Sequence, residues 1–330
     1  MLDTLKNHLQ CPNCKGQLVW SDEEIRHKNF IVSAKIKCSN CNNDYFIKDE
    51  IAYFLTDLER NDLWKKVDSN LVKYLRKNPS IKNQLMNSPI VDLAPADLFF
   101  RSFIHEDNGE YEQADSLLKL SLQQIYTKEY NNCFNSQINY ISNIPMNNKP
   151  ILDIASGKGY LFFELVKRKS NHIIMSDFSP EIIRANWKKL LYYKLQDRAS
   201  LFVFDARKTP FKDKSINLMT SNVGLNNIER PQGLLVELKR ILNGDFYSIM
   251  QFFREADTED KKYLTELHLE ELNFLRSALN EFSKADFTVN LENICHSFSK
   301  PTPEGQIIQA GIDGLPIHDT TIQWSVVHLK

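Results

Sequence analysis

Pro150-Ile-Leu-Asp-Ile-Ala-Ser-Gly-Lys-Gly-Tyr160 decides the fold. A short apolar run ends in Asp153, passes through Gly157 and Gly159, and leads into a helical pattern. A strand that enters a glycine turn and then a helix brings a ligand close to backbone N–H groups at a helix N-terminus. The chain on either side repeats the theme. Ile173–Asp177 and Ser200–Asp205 are further apolar runs ending in an acid, and the runs at 216–221 and 246–252 alternate with helical patterns at 160–169, 180–195, 231–242 and 258–283. Near-continuous apolar strands alternating with helices predict a doubly wound, mostly parallel α/β sheet of seven strands with a Rossmann-like order. Ligands bind such sheets beyond the carboxyl ends of the strands, so Asp153, Asp177 and Asp205 are expected to converge on one pocket. Ser179-Pro180 supplies a helix start, with serine as N-cap and proline in the first helical position.

Toward the N-terminus the pattern changes. Cys11-Pro-Asn-Cys14 and Cys38-Ser-Asn-Cys41 bracket short β-like runs at 18–20, 30–38 and 44–47. Each pair can form a knuckle presenting two thiolates to one tetrahedral ion, so Cys11, Cys14, Cys38 and Cys41 are expected to bind zinc. The alternatives are two disulfides or four unrelated thiols; paired knuckles at both ends of a β-rich insert argue against both. Four protein ligands leave no open position, which makes the zinc structural. Cys133 and Cys295 are isolated in sequence and are taken as small apolar residues.

Length and composition fit two domains and a bridge. The 330 residues are 42% hydrophobic and 25% charged, as in a globular protein, with a formal net charge of −1. The expected division is a zinc ribbon at 1–56, a helical linker and active-site roof at 57–145, and the main domain at 146–330. The sequence shows no apolar stretch near the roughly 20 residues of a membrane span and no secretory h-region, so no membrane partner and a cytoplasmic location are expected. Near-neutral charge argues against nucleic acid. One basic stretch points the other way: Arg60, Lys65, Lys66, Lys73, Arg76, Lys77 and Lys82 face only Asp62 and Asp68. A solvated helix explains that charge as well as phosphate contacts do. The acidic stretch at 106–115 could pair with other charges within the protein.

Two resemblances sharpen the reading. Asp-Ile-Ala-Ser-Gly-Lys-Gly, with three acids at successive strand ends, resembles the class I S-adenosylmethionine (SAM) dependent methyltransferases, with Ala155 in place of the first glycine. DARKTPFKDKSINLMTS at 205–221 and GLLVELKRILNGDF at 233–246 are similar to the ubiquinone and menaquinone biosynthesis methyltransferases within that class. The resemblance implies that Asp153 organises the turn for the methionine part of SAM. It further implies that Asp177 accepts from the ribose hydroxyls, Phe178 packs on adenine and Asp205 accepts from the adenine amino group. Ala155, Gly157, Gly159, Ala206 and Asn222 complete the implied cofactor set. Ala155 is tolerable there provided it avoids positive φ. Residues 1–56 resemble the small zinc-ribbon activating subunits of tRNA, rRNA and protein methyltransferases, through CPNCKGQL and the run Tyr45–Ile51.

The resulting expectation is an enzyme that methylates a small molecule, metabolite or modified peptide. An RNA methyltransferase and a non-catalytic zinc-ribbon interaction protein are the alternatives. Methyl transfer needs alignment more than a dedicated base, so no catalytic residue is assigned. His268, His296, Tyr126, Tyr130 and Asn222 lie in the stretches expected to form the acceptor pocket.

Overall fold

In the computed structural model, residues 1–56, 71, 74–146 and 148–330 are described. Arg60, Lys65, Lys66, Lys73, Asp62 and Asp68 of the basic stretch lie outside the described residues. The main domain contributes seven strands: β6 (Ile151–Asp153), β7 (Ile173–Asp177), β8 (Ala199–Val203), β9 (Ile216–Asn222), β10 (Leu242–Phe252), β11 (Val289–Ser299) and β12 (Thr320–Leu329). Their spatial order is β8-β7-β6-β9-β10-β12-β11. The first five run parallel, and β12 runs against both of its neighbours. The chain leaves β6 to build β7 and β8 on one side and returns to build β9 on the other. The switch point at β6 and β9 is where a doubly wound sheet opens a crevice.

The sheet does not stop at β8. The ribbon strands β1 (Leu18–Trp20), β3 (Phe30–Cys38), β4 (Asp44–Lys48) and β5 (Ile51–Tyr53) continue it, and β2 (Ile25–His27) pairs with β3. The join is parallel, Ile51 opposite Leu201 and Tyr53 opposite Val203. Seven strands were expected, and the sheet has twelve because β5 adds to the edge of β8. Ribbon and main domain also share one apolar core, in which Leu9, Ile36 and Phe54 lie with Phe202, Phe204 and Phe211. Lys15 reaches the buried Glu237 at 3.0 Å, so the ribbon is tied to the main domain by backbone, apolar and ionic contacts together.

The helices before the glycine turn are α1 (Pro79–Asn87), α2 (Pro95–Asp107), α3 (Tyr111–Ile125) and α4 (Lys128–Asn143). Pro79 and Pro95 each start a helix, where the missing N–H has no intrahelical partner to lose. A separate cluster including Leu85, Leu93, Leu98, Phe100 and Leu117 packs α1 to α3 into a cap that also takes Ile308 from the β11–β12 loop. Asp97 fixes that contact. Its fully buried carboxylate accepts the backbone N–H groups of Gln306, Ile307 and Ile308 at 2.7, 3.0 and 3.0 Å. The acidic stretch pairs inside the protein, Glu106 with Lys158 at 3.3 Å and Asp115 with Lys189 at 2.5 Å.

Helices α5 (Tyr160–Arg168), α6 (Pro180–Tyr192) and α7 (Pro231–Ile241) match the expected spans closely. Ser179 caps α6, its hydroxyl accepting from Ile182 N–H at 3.4 Å. The single helix expected over 258–283 is instead α8 (Thr258–Glu266), α9 (Glu270–Asn273) and α10 (Leu275–Lys284). His268 at φ 57° turns the chain after α8, a break the apolar periodicity does not reveal. Cys133 of α4 and Cys295 of β11, isolated in sequence, lie side by side with Cα atoms 6.1 Å apart. Among the described residues, no helix is long and apolar enough to cross a membrane.

Candidate active site

Four adjacent strands, β8, β7, β6 and β9, end at Asp205 (two residues past β8), Asp177, Asp153 and Asn222. Parallel pairing puts these ends on one edge of the sheet, so the acids converge as the sequence pattern requires. Asp153 is buried, and its Oδ1 accepts from the Thr220 hydroxyl at 2.6 Å. Its other oxygen, Oδ2, is buried without a hydrogen-bond partner among the described residues, as is Oδ1 of Asn222. Burial is the main reason the Asp153 carboxyl is pushed up to about 6. An ionised carboxylate held there is a strong acceptor awaiting a donor.

The glycine turn is held by its neighbours. Gly157 N–H donates to Asp177 Oδ2 at 3.0 Å, and Ser179 N–H donates to Asp177 Oδ1 at 2.9 Å, so one carboxylate links the turn to the start of α6. Asn186 of α6 donates to the Gly157 carbonyl at 2.9 Å. Gly157 and Gly159 have φ of 51° and 78°, in the left-handed region that favours glycine. A Cβ at Gly157 would meet nothing within 4 Å, so the backbone there faces open space of the kind a ligand can enter.

Ala155 departs from expectation. It was tolerable only outside positive φ, and it sits at φ 50°. The fold accommodates its methyl group because residue 224 is glycine: a Cβ there would lie 2.8 Å from the Ala155 Cβ. Left-handed backbone costs an alanine about 1–2 kcal/mol, against roughly 0.5–1 kcal/mol of extra chain entropy lost by glycine on folding. Ala155→Gly is therefore expected to raise stability by about 0.5 kcal/mol, read from urea denaturation midpoints. A clear loss of stability would contradict the left-handed assignment. Val223, between Asn222 and Gly224, is at φ 56°, an outlier for a β-branched residue at a strand end facing the crevice.

Asp205 is already engaged. Its carboxylate accepts from Arg207 backbone N–H at 2.9 Å and from the guanidinium at 3.0 and 2.8 Å, and Arg207 also reaches Glu229 at 3.5 Å. Ala206 follows it, buried, and Phe178 is half-buried at the end of β7. Of the residues expected around the acceptor, Tyr126 and Tyr130 lie together, rings stacked with centroids 4.3 Å apart. His296 instead lines a groove with Phe252, Arg254 and Leu279, and His268 is exposed at the end of α8. Thr220, Asp97 and Asn226 were not singled out from the sequence. Asn226 fixes the loop after β9, its amide donating to the carbonyls of Gln251 and Leu272 at 2.9 and 2.8 Å. No local sequence pattern marks these three, because each acts on a partner far along the chain.

The four ribbon cysteines cluster with their sulfurs within 4.8 Å of one another. Cys11 and Cys41 sulfurs are 3.6 Å apart, and Cys14 and Cys38 sulfurs 3.4 Å. Four sulfurs about 2.3 Å from a tetrahedral zinc would be about 3.8 Å apart, so the donor set and its spacing fit that ion. The two knuckles repeat one backbone geometry: Lys15 N–H donates to the Cys11 carbonyl at 2.9 Å and Asn42 N–H to the Cys38 carbonyl at 3.2 Å. Lys15 and Asn42 are both left-handed, at φ 61° and 60°.

Strand order, glycine turn and strand-end acids give a doubly wound, Rossmann-like α/β sheet with its crevice at the carboxyl ends of the strands. Residues 151–245 match the family model described as a methyltransferase domain. Similar proteins include the ubiquinone/menaquinone biosynthesis C-methyltransferases UbiE of Rickettsia typhi and Rickettsia prowazekii, each 28% identical over 138 residues, or 40% of this chain and 52% of the relative. The chain thus spans about half the length of the curated relatives it matches. Among solved structures, the YcgJ protein of Bacillus subtilis superposes with a TM-score of 0.47 at 15% identity, covering 60% of this chain and 97% of that one.

Proposed function

We propose that this protein transfers the methyl group of SAM to a small molecule, metabolite or modified peptide, with the ribbon organised around a structural zinc ion. The observation that carries the reading is the convergence of Asp153, Asp177, Gly157 and Asn222 on one crevice, where Asp153 Oδ2 and Asn222 Oδ1 are buried without hydrogen-bond partners among the described residues. SAM would supply an activated methyl group on a sulfonium. The glycine turn would let its methionine portion approach the backbone, with Asp153 beneath it and Asp177 accepting from the ribose hydroxyls. Phe178 would cover one face of the adenine. Ala206 and the Asp205–Arg207 pair would form its far wall, with Asp205 taking the amino group only as far as Arg207 leaves it a free lone pair.

The chain's own work is alignment and exclusion of water. The cap over the crevice, fixed through Asp97, would hold the acceptor nucleophile in line with the methyl carbon about 3–3.5 Å away. Residues 1–56 then serve as the ribbon, 57–145 as the roof and 146–330 as the catalytic domain. The four thiolates fill the coordination sphere of a zinc ion, which would hold the ribbon's shape and touch no substrate.

Calorimetric titration with S-adenosylhomocysteine, the product every such transfer leaves, tests the proposal when zinc is quantified in the same sample. Micromolar binding and about one zinc per chain are the expected result. A folded, zinc-loaded protein that ignores S-adenosylhomocysteine would end the methyltransferase reading and favour a binding module.

A further inference from the structure

Asp257 is the N-cap of α8, where its Oδ1 accepts the Asp260 N–H at 3.2 Å. Asp260 follows in the first turn of that helix, and His318 stands two residues before β12. The fold brings the three together: one oxygen of each carboxylate and one ring nitrogen lie within 4.8 Å of one another. His318 Nε2 is 2.9 Å from Asp257 Oδ1 and 3.4 Å from Asp260 Oδ2. Among the described residues, no lysine or arginine pairs with either acid.

The remaining polar atoms of the cluster are committed elsewhere. Asp257 Oδ2 accepts from the Thr320 hydroxyl at 2.7 Å, and Asp260 Oδ1 accepts from Ile317 N–H at 2.9 Å. His318 Nδ1 faces the Asp319 carbonyl at 3.1 Å, and a carbonyl can only accept, so a ring hydrogen sits on Nδ1. A neutral ring then points the bare lone pair of Nε2 at two carboxylate oxygens. Lone pairs aimed at one another need a positive charge between them. A second ring proton can serve Asp257, yet it leaves Asp260 Oδ2 in no hydrogen bond among the described residues. Asp260 is fully buried, and a buried charged oxygen without a partner is costly. A cation shared by all three atoms satisfies each of them.

We propose that Asp257, Asp260 and His318 bind a divalent transition-metal ion such as Mn²⁺. The spacing suits it: donors about 2.1 Å from one ion stand about 3.0 Å apart at neighbouring octahedral positions and about 3.4 Å apart in a tetrahedron. An imidazole among the ligands disfavours Mg²⁺ and Ca²⁺, which take oxygen. The Asp319 carbonyl and the Thr320 hydroxyl orient two of the three ligands, as outer partners of metal sites do. Three protein ligands leave positions for water, and the His318 side chain is 37% exposed, so the ion can enter from solvent. The ion would pin the end of the β11–β12 loop to α8, as Asp97 pins that loop at Ile308. This site is independent of the methyltransferase reading.

The test uses the full chain with one equivalent of zinc, so that the ribbon thiolates, which Mn²⁺ does not favour, are filled first. Mn²⁺ is then titrated in, and the free ion is read from its electron paramagnetic resonance signal. About one Mn²⁺ per chain is expected to bind, with nitrogen coupling from an imidazole in the pulsed spectrum. His318→Ala and Asp260→Asn should each weaken that binding by at least about tenfold, with a thermal melt reporting whether each variant is folded. Should a variant not fold, the nitrogen coupling of the parent decides. A parent that binds no Mn²⁺ or binds it without nitrogen coupling, or folded variants that bind as tightly as the parent, would overturn the assignment and leave a histidinium paired with Asp257.

Discussion

Cys38→Ser is expected to destabilise the whole chain, not the ribbon alone, by on the order of 5 kcal/mol, or roughly 7 °C in Tm for a chain of this length. Cys38 is fully buried at the end of β3, its sulfur 3.4 Å from that of Cys14. Losing one of four thiolates removes most of the affinity for a structural zinc, and a module of about 56 residues has little core of its own. The ribbon's apolar residues are continuous with Phe202, Phe204 and Phe211, and β5 is hydrogen-bonded to β8. Disorder in the ribbon would therefore reach the segment from Asp205 to Phe211, which includes the proposed far wall of the cofactor crevice. Scanning calorimetry should show one transition moved downward, together with weaker S-adenosylhomocysteine binding. Two separate transitions with unchanged binding would mean that the ribbon is an independent module.

Asp177→Ala should weaken S-adenosylhomocysteine binding by about 100-fold or more, since hydrogen bonds to a charged acceptor are worth about 1.5–3 kcal/mol each and two ribose hydroxyls are expected to donate to it. The same carboxylate holds Gly157 N–H and Ser179 N–H, so the substitution also loosens the glycine turn. Asp177→Asn separates the two roles. Its carbonyl oxygen can still accept from one backbone N–H, so stability should recover more than affinity does. Titration of both variants beside their thermal melts is the check, and an alanine variant that binds as tightly as the parent would place the cofactor elsewhere.

Much of the central fold was legible because its strands are buried on both faces and are therefore unbroken apolar runs. Ile173–Asp177 is read directly from the sequence, and the structure gives the same limits. Strand β5 was not legible. Ile51-Ala-Tyr53 is three residues long and follows Asp49 and Glu50, both left-handed, so only its pairing with β8 makes it a strand. At the crevice, the glycines and strand-end acids stood out because backbone geometry demands them. The occupation of Asp205 by Arg207 did not, since either residue alone looks like a surface charge. Asp97 was invisible for a similar reason: it resembles any acid in the first turn of a helix, and its three donors lie about two hundred residues away. Tyr126 and Tyr130 were suspected from position alone, and their stacking emerged only from the packing.

The parallel join between β5 and β8 bears on how the protein survives in concentrated solution. In a seven-stranded sheet β8 would be an outer strand, offering a row of unpaired backbone groups along an entirely buried, apolar sequence. Such an edge can recruit a second chain. Here the ribbon occupies it and moves the border of the sheet out to β1, three residues long and ending in the partly covered Trp20. Were the ribbon to hold the proposed zinc, a chain stripped of that ion would bare the β8 edge once more. On the zinc reading the thiolate cluster would then guard against self-association as well as hold the ribbon's shape, and precipitation during chelation is the expected symptom.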